Sequence, residues 1–228
     1  MISAGNDIVS LTATNVTRTK SPEFYAKIIS PAEKALFETV DQSVLPFDRF
    51  VWLLWSVKES AYKYLHRLDP GIVFTPVKFE VQSIESPAGF VCTESGADQI
   101  LGEGFYGLTT FKGHVIFGDK KLFSRTIVFT NFIASFVNVD DDFGRVFWGI
   151  KRIEESTYHL QSGAVRKFVL SELARVSGLE NLAIEKDENE IPELSNNGKP
   201  LQVPVSLSHH ERWVAFSAQI PPTGYFGN

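Results

Sequence analysis

The stretch from Phe50 to Leu68 constrains this chain more than any other. Phe50, Leu53, Leu54, Val57, Ala61, Tyr64 and Leu65 recur at helical spacing, and Pro70-Gly71 stops the run. A long helix with one apolar face has to be covered by another layer of structure. Its polar positions are also unusual. Trp55-Ser-Val-Lys58-Glu59-Ser-Ala-Tyr-Lys63 puts Lys, Glu and Lys on adjoining turns, and Glu59 and Lys63, four apart, share a face. A carboxylate and an ammonium pointing the same way suit phosphate and a divalent metal. The same spacing also suits a solvent-side ion pair, so the segment acquires meaning only from its company.

Around this helix the pattern alternates between short strands and helices. Ile8-Val-Ser-Leu reads as a strand, and a helical stretch follows from Ser21, where Ser30-Pro31-Ala-Glu33 supplies a cap, a first-position Pro and an acid in the first turn. Beyond Pro70-Gly71, Val77, Phe79 and Val81 alternate with period two, and further strands fall near Phe105–Phe111, His114–Phe117 and Thr126–Val137. The acidic turn Asp140-Asp-Asp142-Phe-Gly144 is the best internal boundary. After it come a short apolar start at Val146–Ile150, a helix through Arg166–Val176, a strand at Leu182–Ile184, a Gly/Asn turn and a strand pair ending at Ile220. The expected class is therefore α+β: two similar halves, residues 1–142 and 143–228, related by a pseudo-two-fold, each a small sheet packed with a long helix. Gly5-Asn-Asp7 opens the first half and Gly149-Ile-Lys151 the second, so Lys151 stands where the first copy has Asp7.

With 228 residues, 43% hydrophobic and 21% charged, the chain can bury a sizeable core. A net charge of -5 argues against a general nucleic-acid binder. Nineteen Phe and four Trp point to aromatic-rich packing. Cys92 is the single cysteine, which excludes an intrachain disulfide framework or a thiolate metal cluster and fits a reducing, cytoplasmic setting. Met1-Ile-Ser-Ala-Gly-Asn-Asp7 lacks a basic start followed by an apolar run, and no segment has the length of a membrane span.

Three polar clusters carry candidate chemistry. Asp7, behind a Gly that permits close backbone approach to a ligand, is placed to ligate a metal or to cap a turn. Glu59 and its lysines are the second cluster. In the third, Gly198-Lys199-Pro200 makes a tight turn and Val205-Ser-Leu-Ser208-His209-His210 delivers hydroxyl and imidazole at a strand end, a set that can bind phosphate. Adjacent strand residues point to opposite faces, so His209 and His210 do not serve one site. That disfavours a zinc pair. There is no Gly-x-Ser-x-Gly nucleophile elbow and no P-loop.

In chain order these motifs resemble the 4'-phosphopantetheinyl transferase superfamily. The resemblance rests on Gly5-Asn-Asp7-Ile-Val, Phe24-Tyr-Ala-Lys-Ile-Ile-Ser-Pro-Ala-Glu33-Lys, Trp55-Ser-Val-Lys-Glu59-Ser-Ala-Tyr-Lys63, and Gly198-Lys-Pro with Ser206-Leu-Ser208-His209. The Asp strand comes first and the Ser-His strand last, as in the short holo-acyl-carrier-protein synthase type. The length resembles the long, fused pseudo-dimeric type, whose halves come in the opposite order. Val165-Arg166 through Leu173-Ala-Arg175 is similar to the basic helix preceding Gly-Lys-Pro in that long type.

The resemblance implies transfer of the phosphopantetheine arm of coenzyme A to a serine of an apo acyl or peptidyl carrier protein, with release of adenosine 3',5'-bisphosphate. It implies that Asp7 and Glu59 hold Mg²⁺ against the pyrophosphate, that Lys63 neutralises the leaving phosphate with help from Lys58, and that Glu59, or a metal-bound water it orients, takes the serine proton. Lys199, Ser208, His209 and Arg166 would hold coenzyme A. A fused pair would act as a monomer, because it needs no partner chain to complete its site. Its mirror position would carry Lys151, with Thr130-Asn131-Phe132 where the Ser-His pair should be. One departure stands out: the second acidic residue usual in the family just after the strand Asp is replaced by Val9 and Ser10. That leaves open a coenzyme A- or nucleotide-binding module without catalysis, or a scaffold that only binds carrier protein.

Overall fold

The computed structural model describes residues 3–154 and 157–220; Met1 and Ile2 of the amino-terminal stretch lie outside them. The architecture is α+β with three antiparallel sheets. The first half runs β1 (Gly5–Ser10), three short helices α1 (Val16–Thr19), α2 (Pro22–Tyr25) and α3 (Pro31–Phe37), the long α4 (Phe47–Leu68), then β2 (Glu80–Glu85), β3 (Gln99–Glu103), β4 (Phe111–Phe117), β5 (Lys120–Val128) and β6 (Phe132–Asn138). The second runs β7 (Val146–Arg152), α5 (Tyr158–Ser177), β8 (Leu182–Lys186), β9 (Pro192–Asn196), β10 (Lys199–Pro200), β11 (Val205–His210) and β12 (Trp213–Gln219).

Local chemistry sets most of these limits. At α3, Ser30 Oγ accepts from the Glu33 N–H and Glu33 Oε2 accepts from the Ser30 N–H, a reciprocal cap with Pro31 behind it. α4 ends where the Asp69 carboxylate accepts from the Gly71 N–H across Pro70. α5 ends on Gly178, at φ +69. Asn197 and Gly198, at φ +49 and +76, form the two-residue β9–β10 turn, which requires positive φ at both places.

α4 lies on the sheet ordered β1-β6-β5-β4-β2, and its apolar face, from Phe50 to Leu65, is buried there. Each such Phe or Leu side chain contributes about 1.5–3 kcal/mol of burial. α5 packs on the second half's strands through Val165, Phe168, Val169 and Leu173. A third cluster lies between the halves: Ile8, Phe132, Phe136, Trp148, Ile150 and Trp213, with Phe105 stacked on Trp148 at 5.1 Å. Much of the aromatic surplus is accounted for by this packing.

In each half the first strand pairs with the last, β1 with β6 and β7 with β12. Gly5 sits where β1 meets α4: a Cβ there would lie 2.2 Å from Ser60 O. One on Gly149 would first meet Phe216 Cε1 of β12 at 2.5 Å and Leu101 Cδ2 of β3 at 2.8 Å, and the Phe168 side chain of α5 at 2.9 Å. Gly5 therefore serves close strand-helix packing and not ligand approach. β3 lies before residue 142 in sequence and forms the edge of the sheet ordered β11-β12-β7-β3.

Three strand expectations need correction. Phe105–Phe111 is mostly turn, because Gly104 and Gly107 take φ +64 and +72, and the strand starts at Phe111. Thr126–Val137 is a hairpin, broken between Val128 and Phe132. Val77 lies in a 3-10 turn, Pro76–Lys78, and the alternating strand begins at Glu80.

Candidate active site

β1 divides its side chains between two neighbours. Gly5 and Asp7 face α4, whereas Asn6, Ile8 and Ser10 face the second half. This alternation sets Asp7 beside Lys63, whose ammonium lies 3.1 Å from Asp7 Oδ1 and 3.3 Å from Glu59 Oε1. It also donates to the Asn6 carbonyl at 3.2 Å. All three ammonium protons therefore have acceptors.

The electrostatics are those of a site short of positive charge. Burial pushes the Asp7 carboxyl up to about 7, and the Glu59 carboxylate adds to the rise against the pull of Lys63. Burial works against the Lys63 ammonium, but Asp7 and Glu59 outweigh it and raise its pKa. Asp7 Oδ2 is buried without a hydrogen-bond partner among the described residues. Two carboxylates, one with an orphaned oxygen, around a single ammonium fit a divalent cation held by Asp7 and Glu59. They are the whole acidic set: among the described residues no group of three or more His, Cys, Asp or Glu is arranged to hold a metal. Val9 is apolar and buried, and Ser10 turns to the face opposite Asp7, where its hydroxyl lies 3.0 Å from that of Thr12. Neither replaces the missing acid.

A cleft of about 260 Å³ opens beside Lys63, between α4, α5, β11 and the β8–β9 loop. Of the predicted binding residues it takes in Arg166 and His209. Arg166 is braced by the Ser162 carbonyl and hydroxyl. His209 Nδ1 lies 2.9 Å from Gln161 Oε1, and burial, with Lys63, His210 and Arg166 nearby, lowers its pKa. His210 points the other way, accepting the Ser10 N–H at 3.2 Å, as strand alternation requires.

Three of the predicted residues lie outside the cleft lining. Lys58 is fully buried on another side of α4, donating to Glu33 Oε2 at 2.7 Å and to the Ile28 carbonyl at 2.6 Å. With its ammonium bound in the core, it cannot assist at a phosphate. Lys199 is exposed on β10 and does not line the cleft. Ser208 is buried at the seam between halves, accepting from Asn6 Nδ2 at 2.7 Å.

The cleft also contains residues that motif reading missed, including Tyr62, His66, Arg67, Tyr158 and Lys186. Continuing the Glu59-Lys63 stripe one more turn along α4 reaches His66 and Arg67. The Arg67 guanidinium crosses the seam to the Pro192 and Val205 carbonyls at 2.9 and 2.5 Å. Lys186 arrives from a distant hairpin and has no comparable signal in the sequence.

Among the described residues no helix is long and apolar enough to cross a membrane. No curated protein and no solved structure matches the chain. A family model does match, over residues 3–115, a segment that contains Asp7, Glu59 and Lys63 but stops short of Arg166 and His209. By that match the chain carries a domain of the 4'-phosphopantetheinyl transferase superfamily.

Proposed function

We propose that this protein moves the 4'-phosphopantetheine arm of coenzyme A onto a serine of an apo acyl or peptidyl carrier protein and releases adenosine 3',5'-bisphosphate. The observation that carries the reading is the Asp7-Lys63-Glu59 cluster at the edge of a cleft lined by Arg166, Lys186 and His209.

In this reaction the serine oxygen bonds to the pantetheine-side phosphorus of the pyrophosphate, the bridging P–O bond breaks, and its electron pair leaves with the adenosine bisphosphate. Asp7 and Glu59 would hold Mg²⁺, which supplies charge neutralisation at the pyrophosphate. Glu59, about a quarter exposed, takes the proton from the serine hydroxyl. Lys63, released from one of its carboxylates, carries charge to the leaving phosphate. Arg166 and Lys186 hold the phosphates of the nucleotide end, and His209 shapes the cleft beside them. Lys58, Lys199 and Ser208 do not touch the substrates in this assignment.

The two halves would be copies of one unit, a reading that the paired first and last strands support. In that register Lys151 matches Asp7, and Thr126 matches His209, since Thr126 lies opposite Ser135 as His209 lies opposite Val214. Thr130 and Asn131 belong to the turn that follows, and Phe132 opens β6. β3 pairs along the edge of β7, beside Lys151, where a second site would need access. One site per chain, in a monomer, is the consequence.

A second reading, a coenzyme A- or carrier-binding module without catalysis, is favoured by the absence, among the described residues, of a third acidic group beside Asp7 and Glu59. Mass spectrometry of an apo carrier protein incubated with coenzyme A and Mg²⁺ separates the two. Metal-dependent gain of the pantetheine arm supports the transferase. Binding with no mass gain, across fatty-acid, polyketide and peptide carriers, rejects it.

A further inference from the structure

We propose that Ser208 is a positioning residue for Asp7 and Lys63, acting through Asn6, and not a contact for coenzyme A; this rests on the transferase reading of the site. Asn6 is fully buried and joins the relevant groups in one residue. Its Nδ2 donates to Ser208 Oγ at 2.7 Å, its N–H donates to Ser206 Oγ at 3.1 Å, and its carbonyl accepts from Lys63 Nζ at 3.2 Å. Asp7 is its neighbour in the chain.

β1 needs such support because it ends its sheet. One edge pairs with β6, and along the other no strand is added among the described residues. The Asn6 and Ser10 N–H groups on that free edge are met by β11 side chains, Ser206 and His210. Ser208 completes the row. With 4% of its surface exposed, it accepts from the Asn6 amide while its own hydroxyl points to the Ala215 carbonyl at 3.4 Å. Both its donor and an acceptor role are thus engaged inside the protein.

The period of the strand gives β11 two separate tasks. Ser206, Ser208 and His210 hold the strand that carries Asp7, whereas His209 turns to Gln161 and the cleft. Loss of the Asn6-Ser208 bond therefore reaches the cation site first. A single buried hydrogen bond corresponds to a change of about three- to tenfold.

The test compares Ser208→Ala with His209→Ala in the full chain by calorimetry, titrating coenzyme A alone and Mn²⁺ alone. Ser208→Ala is expected to weaken Mn²⁺ binding about three- to tenfold and to leave coenzyme A affinity within about twofold. His209→Ala is expected to weaken coenzyme A and spare Mn²⁺. Adding Asn6→Ala to Ser208→Ala should lower Mn²⁺ affinity no further than Asn6→Ala alone, because both remove one bond. Should Ser208→Ala not fold, Ser208→Cys, of nearly the same volume, carries the same comparison. Weakened coenzyme A affinity in the Ser208 variant overturns the proposal, as do unchanged affinities for both ligands, including the case of a wild type that binds no Mn²⁺. If the affinities divide as expected but the wild type transfers nothing to any carrier, the transferase reading falls and the positioning role stands.

Discussion

The Lys63 ammonium lies 3.1 Å from Asp7 Oδ1 and, with its other protons on Glu59 and the Asn6 carbonyl, stands where a divalent cation would be wanted. In the ligand-free site the ammonium offsets part of the charge of the two carboxylates, and a metal held there would have to compete with it. Lys63→Met should therefore tighten Mn²⁺ binding in the absence of coenzyme A, by at least about tenfold given the distance between like charges. The same variant should lose transfer by about a hundredfold or more, because no ammonium is left for the leaving phosphate. Calorimetry and a carrier-modification assay measure the two halves of this prediction. Weaker Mn²⁺ binding in Lys63→Met would contradict it.

Removal of either carboxylate should act on chemistry more than on coenzyme binding. Asp7→Asn and Glu59→Gln keep shape but each withdraws one negative charge from the cation site. Transfer should fall by at least about a hundredfold in each. Coenzyme A affinity, which the proposed function assigns to the cleft on the far side of Lys63, should change by less than about threefold. Full activity in either variant would remove the assignment.

Lys58 and Glu59 are neighbours in sequence with unrelated fates. Lys58 is bonded to Glu33, whose two oxygens also accept from the Ser30 and Val81 backbones, so one buried ion pair ties α4 to α3 and β2. Truncation of one partner leaves the other charged and uncompensated. Lys58→Met should destabilise the fold by about 3–5 kcal/mol in chemical denaturation. Glu33→Gln combined with Lys58→Met should recover part of that loss. Coenzyme A affinity of the folded fraction should be unaffected, since Lys58 does not reach the cleft.

What was legible in the sequence follows from which signals are local. The α4 stripe, the Ser30-Glu33 cap and the Asn197-Gly198 turn are encoded within a few residues, and each is found where periodicity or turn chemistry put it. Asp7, Glu59 and Lys63 could be grouped because strand and helix periods dictate their faces. Gly5 was misjudged because a glycine at a strand start reads the same whether its missing Cβ makes room for a ligand or for a helix carbonyl. The bond between Asn6 and Ser208 leaves no local signal, because the two lie some two hundred residues apart and no spacing rule joins them. β3 left little trace: Gln-Ile-Leu-Gly-Glu is a weak strand, and Gly102 is needed only because Trp148 Cζ2 would meet a Cβ at 2.4 Å.

His210 makes the seam sensitive to acid. Its Nδ1 accepts the Ser10 N–H, which only the unprotonated nitrogen can do, and burial lowers its pKa in spite of the Glu211 and Glu59 carboxylates nearby. A folded pKa below the unfolded value near 6.5 means that the unfolded chain binds the proton more readily. The contribution of His210 is then complete above pH 6.5 and declines as pH falls through that value toward the folded pKa. Asp7, raised to about 7, works in the opposite sense over the same range, so the prediction concerns a difference between two proteins. In His210→Asn the side-chain oxygen can accept the same N–H and does not titrate, so from pH 7.5 to pH 5.5 the melting temperature of the wild type should fall relative to that of the variant. An identical pH response in wild type and His210→Asn would show that the seam is not where the proton acts.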